Sequence, residues 1–416
     1  MKVIYLTWGE TPRASGVYGS QVIAQLKNIS DSANDIKLTL VAGLPFIHSG
    51  LVREKLKYSL EIKKIKKNIS PLNFNKITIL SPQNFINKPK LGFHTFHLAA
   101  NKKLIKLIEN YQPDIIHCRS YHAAYAAIKA KKNGGFAYKV IFDARGLWPE
   151  QFAVSLGKDE NDSSYKKLKN IENYILKNSD NIVSVSETMT GHYKHMGITA
   201  NILSTIYPSC PNGEKKTIAP SSHSGGYMFC YLGSLNENTW HKPSVLAELF
   251  KHLLKLAPES KLKIITKDSH SDIAIFFSES QLQNITFLSS HSLKELQKHL
   301  KDVSFGILSY FIPKTKLELL FADTVMAIKT GEYLSSGIPV LVNKFCGGAA
   351  AYVETNFVGI SYDPESFNGL TKHSLNLLNS SNKHEQALHC SEKDFSYANN
   401  ANKYLNIYIK LLANTN

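Results

Sequence analysis

Residues 327–348 read AIKTGEYLSSGIPVLVNKFCGG. Helix formers come first, a Ser-Ser-Gly break follows, and then a compact Ile-Pro-Val-Leu-Val run and two glycines. Gly337 fits the position just past a helix end, and Pro339 soon after it fits a sharp stop. The stretch predicts a short helix running straight into a buried strand, with Gly347 and Gly348 opening the next helix. On the first helix Lys329 and Glu332 are three residues apart and share a face. One reading is a surface ion pair worth about 0–1 kcal/mol. The other is a ligand site. A carboxylate held beside a strand end can accept both hydroxyls of a ribose. A lysine one turn earlier can meet phosphate or sugar oxygens. Free N–H groups at Gly347 and Gly348 can receive a pyrophosphate.

Outward from this stretch the same alternation fills the chain. In the first half, β-rich runs at 2–8, 36–42, 76–81, 114–118, 139–144 and 181–186 alternate with helical patterns such as 18–29, 122–132 and 165–178. Residues 208–226, PSCPNGEKKTIAPSSHSGG, are rich in Pro, Ser, Gly and charge and read as a linker. Alternation restarts at YMFCYLGS (227–234) and ends in an amphipathic helix over 397–413. Short strands separated by helices predict parallel sheets covered on both faces. The expected fold is α/β, with two Rossmann-like, doubly wound domains facing across a cleft. The expected organisation is an N-terminal domain over 1–207, a linker over 208–226, a C-terminal domain over 227–395, and a terminal helix over 396–416. In such sheets ligands bind beyond the carboxyl ends of the strands.

Composition narrows the function classes. The chain has 416 residues, too many for one ordinary core, and 43% are hydrophobic. No apolar run reaches the roughly 18–20 residues of a spanning helix, and MKVIYLTWGE reads as a strand and polar loop rather than a signal peptide. The five cysteines form no C-x-x-C pair, so reduced thiols are expected rather than disulfides or zinc. The net charge is +16, with lysines densest at 55–70 and 100–111. These read as solvated helix faces or as contacts to an anionic membrane surface. No nucleic-acid-binding motif accompanies them, so nucleic acid is not an expected partner.

Four further stretches follow predicted strands. Around Gly16 and Gly19, a glycine-containing loop before a helix is a plain turn or an anion loop, without the G-x-G-x-x-G fingerprint. In HCRSYH (117–122), Arg119 suits a sugar or phosphate contact or a salt bridge. In FDARGLWPEQFA (142–153), Asp143 and Arg145 can pair or can face a ligand. In CYLGSLNENTWHKP (230–243), Ser234 ends a strand, Trp240 offers a ring for stacking and Lys242 can reach a phosphate.

Together, K-x-x-E-Y-L-x-x-G-I-P-V-L-V-N with its following G-G, the strand D-I-I-H, F-D-A-R-G-L-W-P-E, I-V-S-V-S-E-x-M and Y-L-G-S-L resemble GT-B glycosyltransferases of the retaining family 4. They are most similar to its bacterial capsule and lipopolysaccharide O-antigen members. The resemblance implies a hexosyltransferase-type enzyme of surface polysaccharide biosynthesis. It would move a sugar, with retention and without a metal or other cofactor, from a nucleotide diphosphate sugar to a glycan or lipid-linked glycan acceptor. Glu332 would hold the donor ribose, with Lys329, Gly347, Gly348, Lys242 and Ser234 along the donor. Gly16 and Gly19 would close over it, and Asp143, Arg145 and Arg119 would act at the reacting sugar or acceptor. Three places depart from the family pattern: Thr324 stands where many members have a first Glu, Ser234 where many have Arg, and YPSCPNG (207–213) where an I-P-N-G turn is common. An epimerase or phosphorylase of the same fold, or a non-catalytic binding subunit, are the alternatives. The expected location is cytoplasmic, with a peripheral seat on the inner membrane face left open.

Overall fold

In the computed structural model the described residues are 1–8, 12–33, 35–47, 51–69, 72–82, 102–212 and 226–413. They form two compact units, Met1–Tyr207 with Tyr397–Asn416, and Pro208–Ser396. The proposed linker falls mostly at 213–225, outside the described residues. Cys210 already belongs to the second unit, where its amide donates to the Phe395 carbonyl at 2.8 Å.

The first unit is built on seven parallel strands: β1 (Lys2–Trp8), β2 (Lys37–Ile47), β3 (Asn73–Pro82), β4 (Ile115–Arg119), β5 (Lys139–Asp143), β6 (Asn181–Ser184) and β7 (Leu203–Thr205). Their order is β3-β2-β1-β4-β5-β6-β7, so the sheet changes direction between β1 and β4. Register places Tyr5, His117 and Ile141 in one row across β1, β4 and β5, and Thr7, Arg119 and Asp143 in the next. Residues two apart on a strand share a face, so these six belong to one side of the sheet. The terminal helix Tyr397–Ala413 covers that side, and its Ala401, Tyr404 and Tyr408 join Val3, Tyr5 and Ile141 in one buried cluster. Helix Ser120–Gly134 joins β4 to β5.

Two local features differ from expectation. Arg119 ends β4 instead of opening the loop beyond it, because parallel pairing with Asp143 extends the strand. The helix expected over 18–29 starts at Gly16 and widens to a π-helix over Gly19–Ala24 before resuming at Gln25–Asp31. The π segment carries a buried Gln21.

The second unit has six parallel strands: β8 (Met228–Leu232), β9 (Lys261–Ile265), β10 (Ile285–Leu288), β11 (Phe305–Leu308), β12 (Val340–Asn343) and β13 (Gly359–Tyr362). The order β10-β9-β8-β11-β12-β13 repeats the same pattern, with its reversal between β8 and β11. Pairing of β11 with β8 and β12 buries Phe305, Ile307 and Leu341. No helix among the described residues is long and apolar enough to cross a membrane.

Candidate functional site

The opening stretch folds as its spacing predicts. Residues Ile328–Ser335 are helical, Ser336 caps the end, and Gly337 follows with φ of +65°, a conformation that suits glycine. Val340–Asn343 is β12, and Gly347–Thr355 is the next helix. A Cβ on Gly347 would lie 2.4 Å from the Asp323 carbonyl oxygen. The glycine therefore lets this helix start directly against backbone. Among the described residues no hydrogen-bond acceptor is recorded for the amides of Gly347 and Gly348. These are two of the N–H groups that every helix start leaves over.

Lys329 and Glu332 are both half-buried. No ion pair joins them, and neither side-chain head has a hydrogen-bond partner among the described residues. This differs from a surface pair. Burial raises the Glu332 pKa against the pull of Lys329. Burial lowers the Lys329 pKa against Glu332, Cys346 and Asp268. Burial thus disfavours the charged form of each group, and Coulombic attraction without a hydrogen bond only partly offsets it.

The loop after β8 completes this region. The Lys329 ammonium lies 5.6 Å from the Tyr231 ring centroid, within cation–π range. A Cβ on Gly233 would meet Lys329 Cε at 2.7 Å, and Gly233 has φ of +100°. Only glycine both turns the chain here and leaves room for the lysine stem. Asp268, beyond β9, ties the loop down. Its Oδ2 accepts from Ser234 Oγ at 2.7 Å, the Leu235 amide at 2.6 Å and Asn236 Nδ2 at 3.3 Å. Ser234 is therefore engaged by Asp268. Lys242 is also engaged, because its ammonium donates to the Glu237 carbonyl of its own loop. Thr324 caps the helix Lys316–Asp323, is buried, and donates back to the Phe321 carbonyl at 3.1 Å. His241 is buried beside Tyr231 and Tyr310, and burial, aided by Lys329, holds it neutral.

The first unit gathers its own polar cluster at the carboxyl ends of β4 and β5. Asp143 is 1% exposed and accepts from Tyr404 OH at 3.2 Å through Oδ2. Its Oδ1 stands 3.5 Å from Arg145 Nη1, and Arg145 Nη2 donates to Gln21 Oε1 at 3.1 Å. Of the two arrangements open to Asp143 and Arg145, the pair is the one formed. His117 is fully buried, with Nδ1 2.7 Å from Tyr408 OH and Nε2 3.5 Å from Asp143 Oδ2. Burial pushes the Asp143 pKa up, but Arg145, His117 and Arg119 outweigh it and hold it at about 2. Burial lowers the His117 pKa against Asp143. Arg119 is buried beside them. Gly16, with φ of +67°, opens the first helix, and a Cβ on Gly19 would lie 2.6 Å from the Ala14 carbonyl oxygen. Residues 9–11 of that loop lie outside the described residues.

Asp268, Tyr404 and Tyr408 are absent from the sequence-derived candidates. Asp268 follows the strand KLKIIT, the placement that marked the other candidates, and that signal could have found it. The two tyrosines read as core residues of an amphipathic helix.

Both sheets, each reversing order at a central strand pair, make this an α/β protein of two doubly wound units. Residues 75–210, about a third of the chain, match the family model described as Glycosyltransferase Family 4. No curated protein sequence matches the chain significantly. Solved structures do match. The lipopolysaccharide outer core galactosyltransferase WaaB is 14% identical, covers 99% of this chain and 100% of its own, and has a TM-score of 0.66. Anabaena HepE in complex with UDP is 13% identical, with 99% and 100% coverage and a TM-score of 0.66. A glycosyltransferase from Rickettsia africae is 17% identical, with 99% and 98% coverage and a TM-score of 0.63. The segment matches the Glycosyltransferase Family 4 model, and the whole-chain likenesses show the expected fold, that of GT-B glycosyltransferases.

Proposed function

We propose that this chain is a retaining glycosyltransferase of hexosyltransferase type. It would take a sugar from a nucleoside diphosphate sugar and place it on a hydroxyl of a lipid-linked surface-glycan acceptor. The observation that carries the reading is the half-buried Glu332 and Lys329, one helical turn apart and without hydrogen-bond partners, together with the open amides of Gly347 and Gly348 at the next helix start. A buried carboxylate without donors is unfavourable unless a ligand supplies them. A ribose diol donates two hydrogen bonds to it. A diphosphate is complementary to a lysine and to the start of a helix.

In this reading the leaving diphosphate gathers negative charge as the glycosidic bond breaks. Lys329 and the two amides are already in place to meet it, so little reorganisation is needed. The protein's own groups supply this stabilisation, and the reading needs no metal. Retention rests on the Family 4 match alone. UDP is the first nucleotide to test, because the HepE structures hold UDP and UDP-glucose. Support for a membrane-borne acceptor comes from the net charge of +16 and from the exposed Lys63, Lys64, Lys66 and Lys67 on helix Leu51–Ile69. Each lysine near an anionic leaflet contributes about 1 kcal/mol.

Thermal unfolding with UDP, GDP, CDP and ADP tests the donor site. A nucleotide at about 100 times its dissociation constant stabilises by about 2.7 kcal/mol, a shift of several degrees. The expected result is a shift with one nucleotide, lost in Glu332→Ala. A shift of equal size in Glu332→Ala would contradict the site.

A further inference from the structure

Asp143 is an unusual residue to bury. Its carboxylate sits beneath the sheet end with Arg145, His117 and Tyr404 around it. Apolar residues of similar volume would fill such a place at no cost in stability, so a buried ionic cluster needs another reason to be there. Its location gives one. It lies at the carboxyl ends of β4 and β5, next to the strand-order reversal between β1 and β4, where open α/β sheets bind ligands. Arg145 leaves the strand with φ of +62°, a strained conformation for a non-glycine residue, and such strain gathers at functional sites.

The contacts form one chain from the terminal helix to that arginine. Tyr408 OH is 2.7 Å from His117 Nδ1. His117 Nε2 faces Asp143 Oδ2 at 3.5 Å, and Tyr404 OH donates to the same oxygen at 3.2 Å. The ionised carboxylate has no proton to give. The imidazole proton therefore belongs on Nε2, and Tyr408 donates to Nδ1. Asp143 Oδ1 then faces Arg145 Nη1, while Gln21 holds Nη2 from the π-helical turn. His117, Asp143, Tyr404 and Tyr408 are each 3% exposed or less, whereas the Arg145 side chain is 14% exposed. Tyr408 bonds to His117 and Tyr404 to Asp143, His117 Nε2 approaches the carboxylate at 3.5 Å without a full hydrogen bond, and only the last member of the chain reaches the surface.

We infer that Tyr404 and Tyr408 are positioning residues: through Asp143 and His117 they fix the Arg145 guanidinium at the carboxyl end of the N-terminal sheet, for contact with the reacting sugar or acceptor. Asp143 is on this account an anchor for Arg145, not a proton-transfer group. The inference rests on the glycosyltransferase reading for what Arg145 contacts, but its geometry does not.

Guanidinium NMR of the full chain, labelled at arginine, tests it directly, with the Arg145 signal identified by its loss in Arg145→Lys. A fixed guanidinium rotates slowly and shows distinct Nη resonances. The expected result is distinct Arg145 resonances in the wild type, merged in Tyr404→Phe and in Asp143→Asn. Tyr408→Phe should also weaken the separation. Phenylalanine keeps the packing, so Tyr404→Phe serves even where Asp143→Asn does not fold. Unchanged Arg145 resonances in a folded Tyr404→Phe would overturn the inference. UDP-glucose turnover is measured alongside, with about a tenfold fall in kcat at unchanged donor KM expected in Tyr404→Phe. An undiminished kcat in that variant would equally overturn it. A wild type that binds none of UDP, GDP, CDP and ADP would break the donor reading, while the Arg145 resonances still decide the positioning claim.

Discussion

Asp143 and Glu332 are both withdrawn from water, and they are held in opposite ways. Asp143 has Tyr404, His117 and Arg145 around its carboxylate, and its pKa sits at about 2. Glu332 has no hydrogen-bond donor among the described residues, and burial raises its pKa. The first is complete without a ligand and serves the groups around it. The second lacks donors of its own, and in the proposed function the nucleotide supplies them. On the proposed function the contrast corresponds to a part that positions and a part that binds, distinguished by which lone pairs are taken.

The largest effect that could break this contrast is at Asp143. Asp143→Ala leaves the Arg145 charge and the His117 ring without their partner, and should destabilise the fold by about 3–5 kcal/mol in urea unfolding. The wild-type group also has a pH signature. Its folded pKa is depressed from 3.8 to about 2, so its stabilisation is present above about pH 4 and is lost as pH falls toward 2. A destabilisation under about 1 kcal/mol would mean that the cluster is not holding its charges.

Gly347→Ala comes next. Its new Cβ would face the Asp323 carbonyl at 2.4 Å, a backbone atom that cannot swing away. A loss of about 1–3 kcal/mol is expected, together with weaker nucleotide binding as the helix start is displaced. Wild-type stability in this variant would remove the close helix start from the account.

Glu332→Gln should act in the reverse sense. Removing a desolvated charge should raise the melting temperature of the free protein by the equivalent of about 1 kcal/mol while cutting the nucleotide shift to about half or less, a trade of stability against function. The sign follows from linkage. A carboxylate with a raised folded pKa binds more protons in the native state, so it lowers stability as pH rises from its unfolded value through its folded one. That slope should vanish in Glu332→Gln. A melting temperature that falls in this variant would contradict the claim that Glu332 is unsatisfied.

The smallest effect is expected at Lys242. Its ammonium is held by the Glu237 carbonyl, so Lys242→Ala should change stability by less than about 0.5 kcal/mol and leave the nucleotide shift unchanged. A lost shift would bring Lys242 into the donor site.

What could be read from the chain in advance follows the same division. The Lys329–Glu332 spacing, the Gly337 stop and the Gly347–Gly348 helix start are local, and each was legible from propensity and capping rules. The alternation that builds both sheets was legible for the same reason. The Asp143–Arg145 pair is also local, two residues apart. The rest of that cluster is not. Tyr404 lies 261 residues from Asp143 and Tyr408 lies 291 from His117, and no periodicity marks which face of a terminal helix meets which strand. Arg119 was misplaced beyond its strand because strand ends depend on register, here with Asp143. Asp268 reaches Ser234 from 34 residues away. The site's local half was visible, and the half made by tertiary register was not.

The most direct test of the central claim is calorimetric titration of the wild type and Glu332→Gln with UDP. A charge-assisted hydrogen bond contributes about 1.5–3 kcal/mol, so the account predicts that the variant binds at least about tenfold more weakly. Equal affinities would show that Glu332 does not hold the nucleotide, and the donor site would have to be sought elsewhere.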